Sequence, residues 1–384
     1  MTKPGEFEAC GLSLDAPFCL IEDREAGGGL LFAAPRQIVA AYRAEEVLSA
    51  FAALQQATDE GFYVAGFAAY ECGYVFEPRL APLLRPSPDK PLLLFGVFDA
   101  PRPSPVFGAP DECALEDLRP AWDFNDYWPR FAACRDYIAA GDVYQINLTF
   151  PLFGRWRGAP LDLYRTLRTR QPVALGGIVA LGGDIVLSLS PENFFSTREG
   201  KIFARPMKGT ARRGATPQQD RALAEALSRD EKNRAENLMI VDLLRNDIGR
   251  LSEIGSVTVS DLFSVETFPT LHQLTSGVEA RLRPNLSPHE IFAGLFPCGS
   301  VTGAPKIRAM EIIAEQETFS RGVYCGAIGV IAPGGDMRFN VAIRTLTLSP
   351  HGAFSCPVGS AVVADSRARE EYEECLLKAR FLTA

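Results

Sequence analysis

Nothing in this chain is long and apolar enough to span a membrane. The longest apolar stretch, Val173 to Leu181, is broken by glycines and closed by Asp184, well short of the ~20 residues a spanning helix needs. The N-terminus carries Glu6 and Glu8 and lacks the basic-then-apolar pattern of a secretory signal. Runs of Lys and Arg are missing as well. With 39 Lys+Arg against 47 Asp+Glu, the net charge is −8, a poor electrostatic match for nucleic acid or anionic lipid. Neither nucleic acid nor membrane is therefore expected as a main partner. The nine cysteines are odd in number, scattered and without a C-x-x-C pair. They imply no disulfide or zinc framework, and reduced thiols in the cytoplasm are expected. Histidine is scarce, and His272, His289 and His351 stand too far apart in sequence to suggest a metal site.

What remains is ordinary globular material: 384 residues, 47% hydrophobic and 22% charged, enough for a large core or two to three domains. Prolines crowd residues 78–110 and exclude long helices there, which separates an N-terminal region, 1–120, from a region 121–384. Helical spacing is read at Ala44–Gln56 and, from Tyr127, Phe131, Cys134 and Ile138, in a helix capped by Asn125 or Asp126 and stopped at Gly141. Further helices are expected at Asp220–Arg229, Ala235–Asp247, Pro305–Glu317 and Arg367–Leu382. Strand patterns fall at Leu92–Phe98, Tyr144–Phe150, Asp184–Ser190, Val323–Ile331, Met337–Leu348 and Phe354–Val363. Strands and helices mix without strict alternation, which predicts a large α+β fold.

Several constellations could carry chemistry, each with a plainer reading beside it. On the last helix, with Asp365 or Ser366 as cap, Glu371, Glu374 and Lys378 share a face. Two carboxylates one turn apart can hold Mg²⁺, or form a solvated acidic face. Glu236 lies among Ala235, Leu238, Met239 and Ile240, where a charge must be paired or bind metal; a salt bridge to Arg234 or Lys232 is the alternative. Gly299-Ser300-Val301-Thr302-Gly303-Ala304-Pro305-Lys306 is a glycine loop opening a helix, suited to an anion but without the nucleotide-binding spacing; an ordinary tight turn is equally open. Arg344 interrupts the strand Phe339–Leu346 and suits either a substrate carboxylate or a structural acid. Lys208, between Pro206 and Gly209, is either an exposed turn lysine or a lysine in a dry pocket, where it would become a nucleophile.

In order along the chain, Tyr-Gln-Ile-Asn (144–147), Ser-Pro-Glu (190–192), Pro-Met-Lys-Gly-Thr (206–210), Ala-Glu-Asn-Leu-Met-Ile-Val-Asp-Leu-Leu-Arg-Asn-Asp (235–247), Gly-Ser-Val-Thr-Gly-Ala-Pro-Lys (299–306), Arg-Gly-Val-Tyr-Cys-Gly (321–326) and Glu-x-x-Glu-x-x-x-Lys (371–378) resemble the chorismate-utilising enzyme family. That family includes anthranilate, isochorismate, salicylate and aminodeoxychorismate synthases. The resemblance is strong over residues 122–384 and weak before them. It implies an α+β chorismate-binding fold of antiparallel sheets packed as a sandwich with flanking helices, the N-terminal region packed on the rest.

The resemblance also implies a site. Gln145 stands where water-adding members have a lysine base, which favours an ammonia-using member. Lys208 stands where anthranilate synthases have alanine, and marks the aminodeoxychorismate branch. Mg²⁺ would be held by Glu236 and Glu374, with Glu371 acting through water. Tyr324, Arg344 and Lys378 would hold the pyruvyl carboxylate of chorismate. Lys208 would be the nucleophile and Glu192 the acid, with a raised pKa. Thr302, His272 and the backbone at Gly359 match positions near the substrate. Asn233, Asn237 and Ala361 depart from the commonest residues at their positions. Ammonia would come from a separate glutamine amidotransferase subunit, since no cysteine nucleophile motif with a partnered histidine is evident. Anthranilate synthase and a non-catalytic chorismate-fold subunit are the competing readings.

Overall fold

The computed structural model describes residues 16–23, 28–85, 87–105, 108–268 and 271–383. Two ten-stranded antiparallel sheets lie face to face, the expected α+β sandwich. One runs, in spatial order, Gly303–Ala304, Gln145–Arg157, Ala353–Val362, Thr345–Leu348, Ile185–Ser188, Leu175–Ala180, Phe18–Asp23, Gly28–Ala33 and Arg102–Pro103, with Ala114–Pro120 also paired to Gln145–Arg157. The other runs Met207–Arg212, Leu271–Arg281, Lys201–Ala204, Asn193–Arg198, Met337–Val341, Ala327–Ile331, Tyr63–Ala68, Leu93–Phe98 and Gln37–Ala41, with Thr258–Thr267 beside Leu271–Arg281. Strands from residues 1–120 enter both sheets: Phe18–Asp23 pairs with Leu175–Ala180, and Tyr63–Ala68 with Ala327–Ile331.

The period of two along each strand explains the layering. Cys19, Ile21, Phe32, Val179 and Val186 of the first sheet join Ala65, Phe67, Leu94, Phe98 and Ile328 of the second in one buried cluster between them. Their strand neighbours Leu20, Leu31, Ile178, Val64 and Phe95 belong to the larger core with the helices. Such strands are apolar on both faces. Helix Ala44–Asp59 covers the strands Gln37–Ala41, Tyr63–Ala68 and Leu93–Phe98; Phe124–Ala139 packs on the C-terminal helix Ala368–Lys378. No helix of the described residues is long and apolar enough to cross a membrane.

Several local expectations are corrected. Asp123 caps the helix Phe124–Ala139, accepting from the N–H groups of Asn125 and Asp126 at 2.7 and 3.0 Å. The C-terminal helix has no side-chain cap: Asp365 pairs with Lys232 at 2.8 Å, and Ser366 donates to Glu371 at 2.6 Å. The span 337–348 is two strands, Met337–Val341 and Thr345–Leu348, which lie in different sheets.

A buried ionic network braces the segment before Tyr324. Arg321 grips Glu317 through two nitrogens at 2.6 and 2.8 Å and donates to the carbonyls of Val301 and Asn147. Glu71 accepts from the backbone N–H of Arg321 at 2.7 Å and of Gly322 at 3.0 Å. Burial pushes the Glu71 carboxyl up to about 7 from its ordinary 4.5, against those hydrogen bonds and the Arg321 charge. A carboxyl with a raised folded pKa holds extra protons in the native state, so stability falls as pH rises from about 4.5 to about 7. The shift corresponds to about 3 kcal/mol. Glu71→Gln removes that titration. Chemical denaturation at pH 5 and pH 8 should find the wild type losing about 2–3 kcal/mol relative to the variant on raising the pH; an equal pH response in both would contradict this.

Candidate active site

Two chain crossings between the sheets sit side by side and set the first site residues. After Ile185–Ser188 the chain leaves one sheet and enters the other at Asn193–Arg198, with Glu192 at the crossing. The return crossing, between Met337–Val341 and Thr345–Leu348, carries Arg344 in a left-handed conformation with φ 50°. Backbone bonds zip them together, Val341 N–H to the Glu192 carbonyl at 3.0 Å and Leu189 N–H to the Arg344 carbonyl at 3.1 Å. The Ser190 hydroxyl adds a bond to the Val341 carbonyl at 2.6 Å. Arg344 is half-buried, and no carboxylate pairs with it among the described residues. Burial lowers its pKa, while the buried Tyr324 nearby works the other way. A guanidinium left without an acid in such a place suits a planar anion.

Glu192 is buried, and its Oε1 accepts from the Ser300 hydroxyl at 2.8 Å. Burial raises its pKa; the Ser300 bond and the charges of Lys208 and Lys378 oppose this. Lys208 shows the converse. Burial lowers its pKa and Lys378 helps, while Glu236, Glu192 and Glu374 pull upward. One group is thus biased toward keeping a proton and the other toward releasing one, the arrangement an acid and a nucleophile require. Lys208 sits in a β-bulge. Met207 pairs with Thr275 and Thr210 with Gln273, leaving Lys208 and Gly209 opposite Leu274 alone. Gly209 has φ +84°, and a Cβ there would stand 2.7 Å from Asn233 Oδ1, so only glycine fits.

The acidic residues approach from two helices. Glu236, half-buried on helix Glu231–Gly249, has neither of the expected partners. Lys232 is taken by Asp365, and the Arg234 guanidinium lies over the Phe263 ring at 4.7 Å. On Ala368–Lys378, Lys378 pairs with Glu374 at 2.8 Å and donates to the Gly359 carbonyl at 2.9 Å. Burial raises the pKa of Glu371, Ser366 lowers it and the like charge of Glu374 raises it further. Among the described residues, no three His, Cys, Asp or Glu side chains are gathered closely enough to form a metal site. The donor set of Glu236, Glu371 and Glu374 is nonetheless all hard oxygen, and the mutual repulsion of the last two is what a divalent cation would offset, so the residues fit Mg²⁺ in kind.

The glycine loop differs from its sequence reading. Lys306 is no free cation, since it is bound to Asp247 and to the Leu295 carbonyl, both at 2.6 Å. The Thr302 hydroxyl turns back to the carbonyls of Cys298 and Gly299 at 3.1 and 3.2 Å, whereas Ser300, two residues earlier, reaches Glu192. Sequence reasoning missed Ser300; only its place in the same loop as Thr302 pointed to it. Gly303 and Ala304 pair with Ile146 and Gln145. Gln145 is fully buried, and neither atom of its amide has a partner among the described residues.

His272 is drawn away from the others. Its Nδ1 shares a hydrogen bond with Thr267 and its Nε2 with Asp220, both at 2.9 Å. Asp220 is held in turn by Arg213, which with the Gly214 N–H drops its carboxyl well below the ordinary range. Neighbours on a strand face opposite ways, and it is Gln273 that turns toward the bulge, donating to the Gly209 carbonyl at 2.8 Å. The structure therefore brings Glu192, Lys208, Glu236, Glu371, Glu374 and Lys378 into one electrostatic neighbourhood, sets Tyr324 beside Arg344, and spends the polar groups of Thr302 and His272 on local partners.

The model for the chorismate binding enzyme family matches residues 100–384. Over 261 residues the chain is 44% identical to aminodeoxychorismate synthase component 1 of Klebsiella aerogenes, covering 67% of this chain and 58% of that protein. It is 40% identical over 280 residues to anthranilate synthase component 1 of Thermus thermophilus, covering 72% of this chain and 60% of that one. Among solved structures, anthranilate synthase component I from Streptococcus pneumoniae superposes with a TM-score of 0.77 at 28% identity, over 96% of this chain and 90% of that one. The chain spans somewhat over half the length of these two curated relatives. With that match over most of its length and fold, the chain belongs to the family of chorismate binding enzymes.

Proposed function

We propose that this chain is an aminodeoxychorismate synthase component that aminates chorismate at C4, using ammonia from a separate glutamine amidotransferase and yielding 4-amino-4-deoxychorismate, a precursor of para-aminobenzoate and folate. The observation that carries the reading is the opposed pair Lys208 and Glu192, the lysine inclined to lose its proton and the carboxyl to keep one. Neutral Lys208 attacks C2 of the ring; the two ring double bonds shift, and the C4–O bond breaks. Glu192 gives its proton to the departing hydroxyl, which leaves as water. The ionised Glu192 takes the extra proton of the lysine adduct. Ammonia attacks C4, the double bonds shift back, and the C2–N bond breaks as Glu192 returns that proton to the Lys208 nitrogen, the new C4 ammonium losing a proton to restore the acid. Two easier displacements replace one difficult one.

Arg344, Tyr324 and Lys378 would receive the pyruvyl carboxylate, and the unpartnered amide of Gln145 would turn to the ligand. Gly359, through its backbone, would border a substrate carboxylate, while Thr302 and His272 would keep the loop and the strand in shape. Glu236, Glu371 and Glu374 would hold Mg²⁺, which when bound supplies positive charge opposite the ring carboxylate. The "component 1" names of the relatives support a partner component, which in this reading would supply the ammonia.

The test is product identification from chorismate, ammonium salt and Mg²⁺, with and without excess chelator. The expected product is 4-amino-4-deoxychorismate, with activity lost on chelation and restored by Mg²⁺. Anthranilate with pyruvate would favour the anthranilate synthase reading, an oxygenated product would contradict the role given to Gln145, and binding without turnover would favour a non-catalytic subunit. Full activity in excess chelator would overturn the metal assignment.

A further inference from the structure

We propose that Gln273 is a positioning residue for the nucleophile, clamping the bulge from which Lys208 projects; this rests on the reading of Lys208 given above. A bulge forfeits ladder hydrogen bonds on the bulged strand, and here the two residues without regular strand partners are Lys208 and Gly209. The Gln273 side chain fills that gap. Its Nε2 donates to the Gly209 carbonyl at 2.8 Å, and its Oε1 accepts from the Thr210 hydroxyl at 3.2 Å. Both ends of one amide are thus tied to the two residues that follow the lysine.

The far side of Gly209 is closed by Asn233. That side chain packs against the glycine Cα and is itself fixed by Asp230, which accepts from the Asn233 backbone N–H at 2.7 Å and from Nδ2 at 2.8 Å. Gly209 lies between a strand on one side and a helix start on the other. The peptide after Gly209 cannot rotate without breaking one of these contacts, which restrains the bulge from which the lysine side chain projects. Nucleophilic attack is sensitive to this, because a displacement of about 1 Å can cost roughly 100-fold in rate.

Two variants separate the clamp from mere packing. Gln273→Met keeps the volume but cannot donate; it should lower kcat by roughly 10- to 100-fold with KM for chorismate nearly unchanged. In Gln273→Glu the introduced carboxylate repels the Gly209 carbonyl at neutral pH, yet its protonated form can donate. Its rate relative to wild type should therefore climb as pH falls from 7.5 to 5.5, while the same ratio for Gln273→Met stays flat. Modification of Lys208 by an amine-directed reagent, followed by peptide mass spectrometry, reads the clamp without catalysis, and labelling should be several-fold faster in Gln273→Met. Unchanged labelling with kcat within twofold of wild type in both variants would overturn the proposal. Faster labelling combined with a fully active Lys208→Ala enzyme would uphold the clamp and overturn the nucleophile reading instead.

Discussion

Lys208→Ala should abolish formation of 4-amino-4-deoxychorismate, with a loss of roughly 1,000-fold or more in kcat and little change in chorismate affinity. The expectation follows from what the side chain does in the fold. Burial and Lys378 favour its neutral form, and Glu236, Glu192 and Glu374 favour the charged one; an amine whose pKa is lowered this way gives up its proton, and so attacks, more readily than an exposed lysine. Lys208→Arg distinguishes nucleophile from counter-charge. A guanidinium keeps the positive charge but does not release a proton, so the arginine variant should be as inactive as the alanine one. If the arginine variant retained wild-type turnover, Lys208 would be acting through its charge alone.

Glu192→Gln should lower kcat by roughly 100- to 10,000-fold, the range general acid catalysis supplies. The amide keeps the shape and can still accept from Ser300, but it has no proton to give. The pH profile carries a second signature. Burial raises the Glu192 pKa and the Ser300 hydroxyl, donating to its ionised form, lowers it. A general acid must be protonated, so kcat/KM should fall as pH rises through that raised value. Ser300→Ala removes the opposing bond, raises the pKa further and should move this alkaline limb to higher pH. A limb that stays in place, or moves down, would contradict the assignment of Glu192 as the acid.

Much of this site was legible in order along the chain, and the reasons for the gaps are physical. Lys208, Glu192 and Glu236 stand out because each is a charge beside glycine, proline or apolar residues, and Glu371 and Glu374 because they recur one helical turn apart; both are local patterns. The facing of adjacent strand residues is not local. His272 and Gln273 are both plausible polar contacts, and only the register of Met207–Arg212 against Leu271–Arg281 decides which one turns to the bulge. Thr302 and Ser300 present the same ambiguity inside one short loop. Arg344 looked like an interruption of a strand because the apolar pattern continues through it; the interruption is the passage from one sheet to the other. In sequence Lys306 reads as open to an anion because Asp247, which binds it, lies far upstream. The two-layer fold, by contrast, was foreshadowed by the unsegregated mixture of strands and helices.

The covalent adduct is the central claim, and intact-protein mass spectrometry tests it most directly. Enzyme mixed with chorismate and Mg²⁺ without ammonia should gain the mass of chorismate less one water, located on the peptide carrying Lys208. Adding ammonium should discharge the adduct as 4-amino-4-deoxychorismate at a rate no slower than kcat. Steady turnover with no adduct at any time, undiminished in Lys208→Ala, would contradict the account.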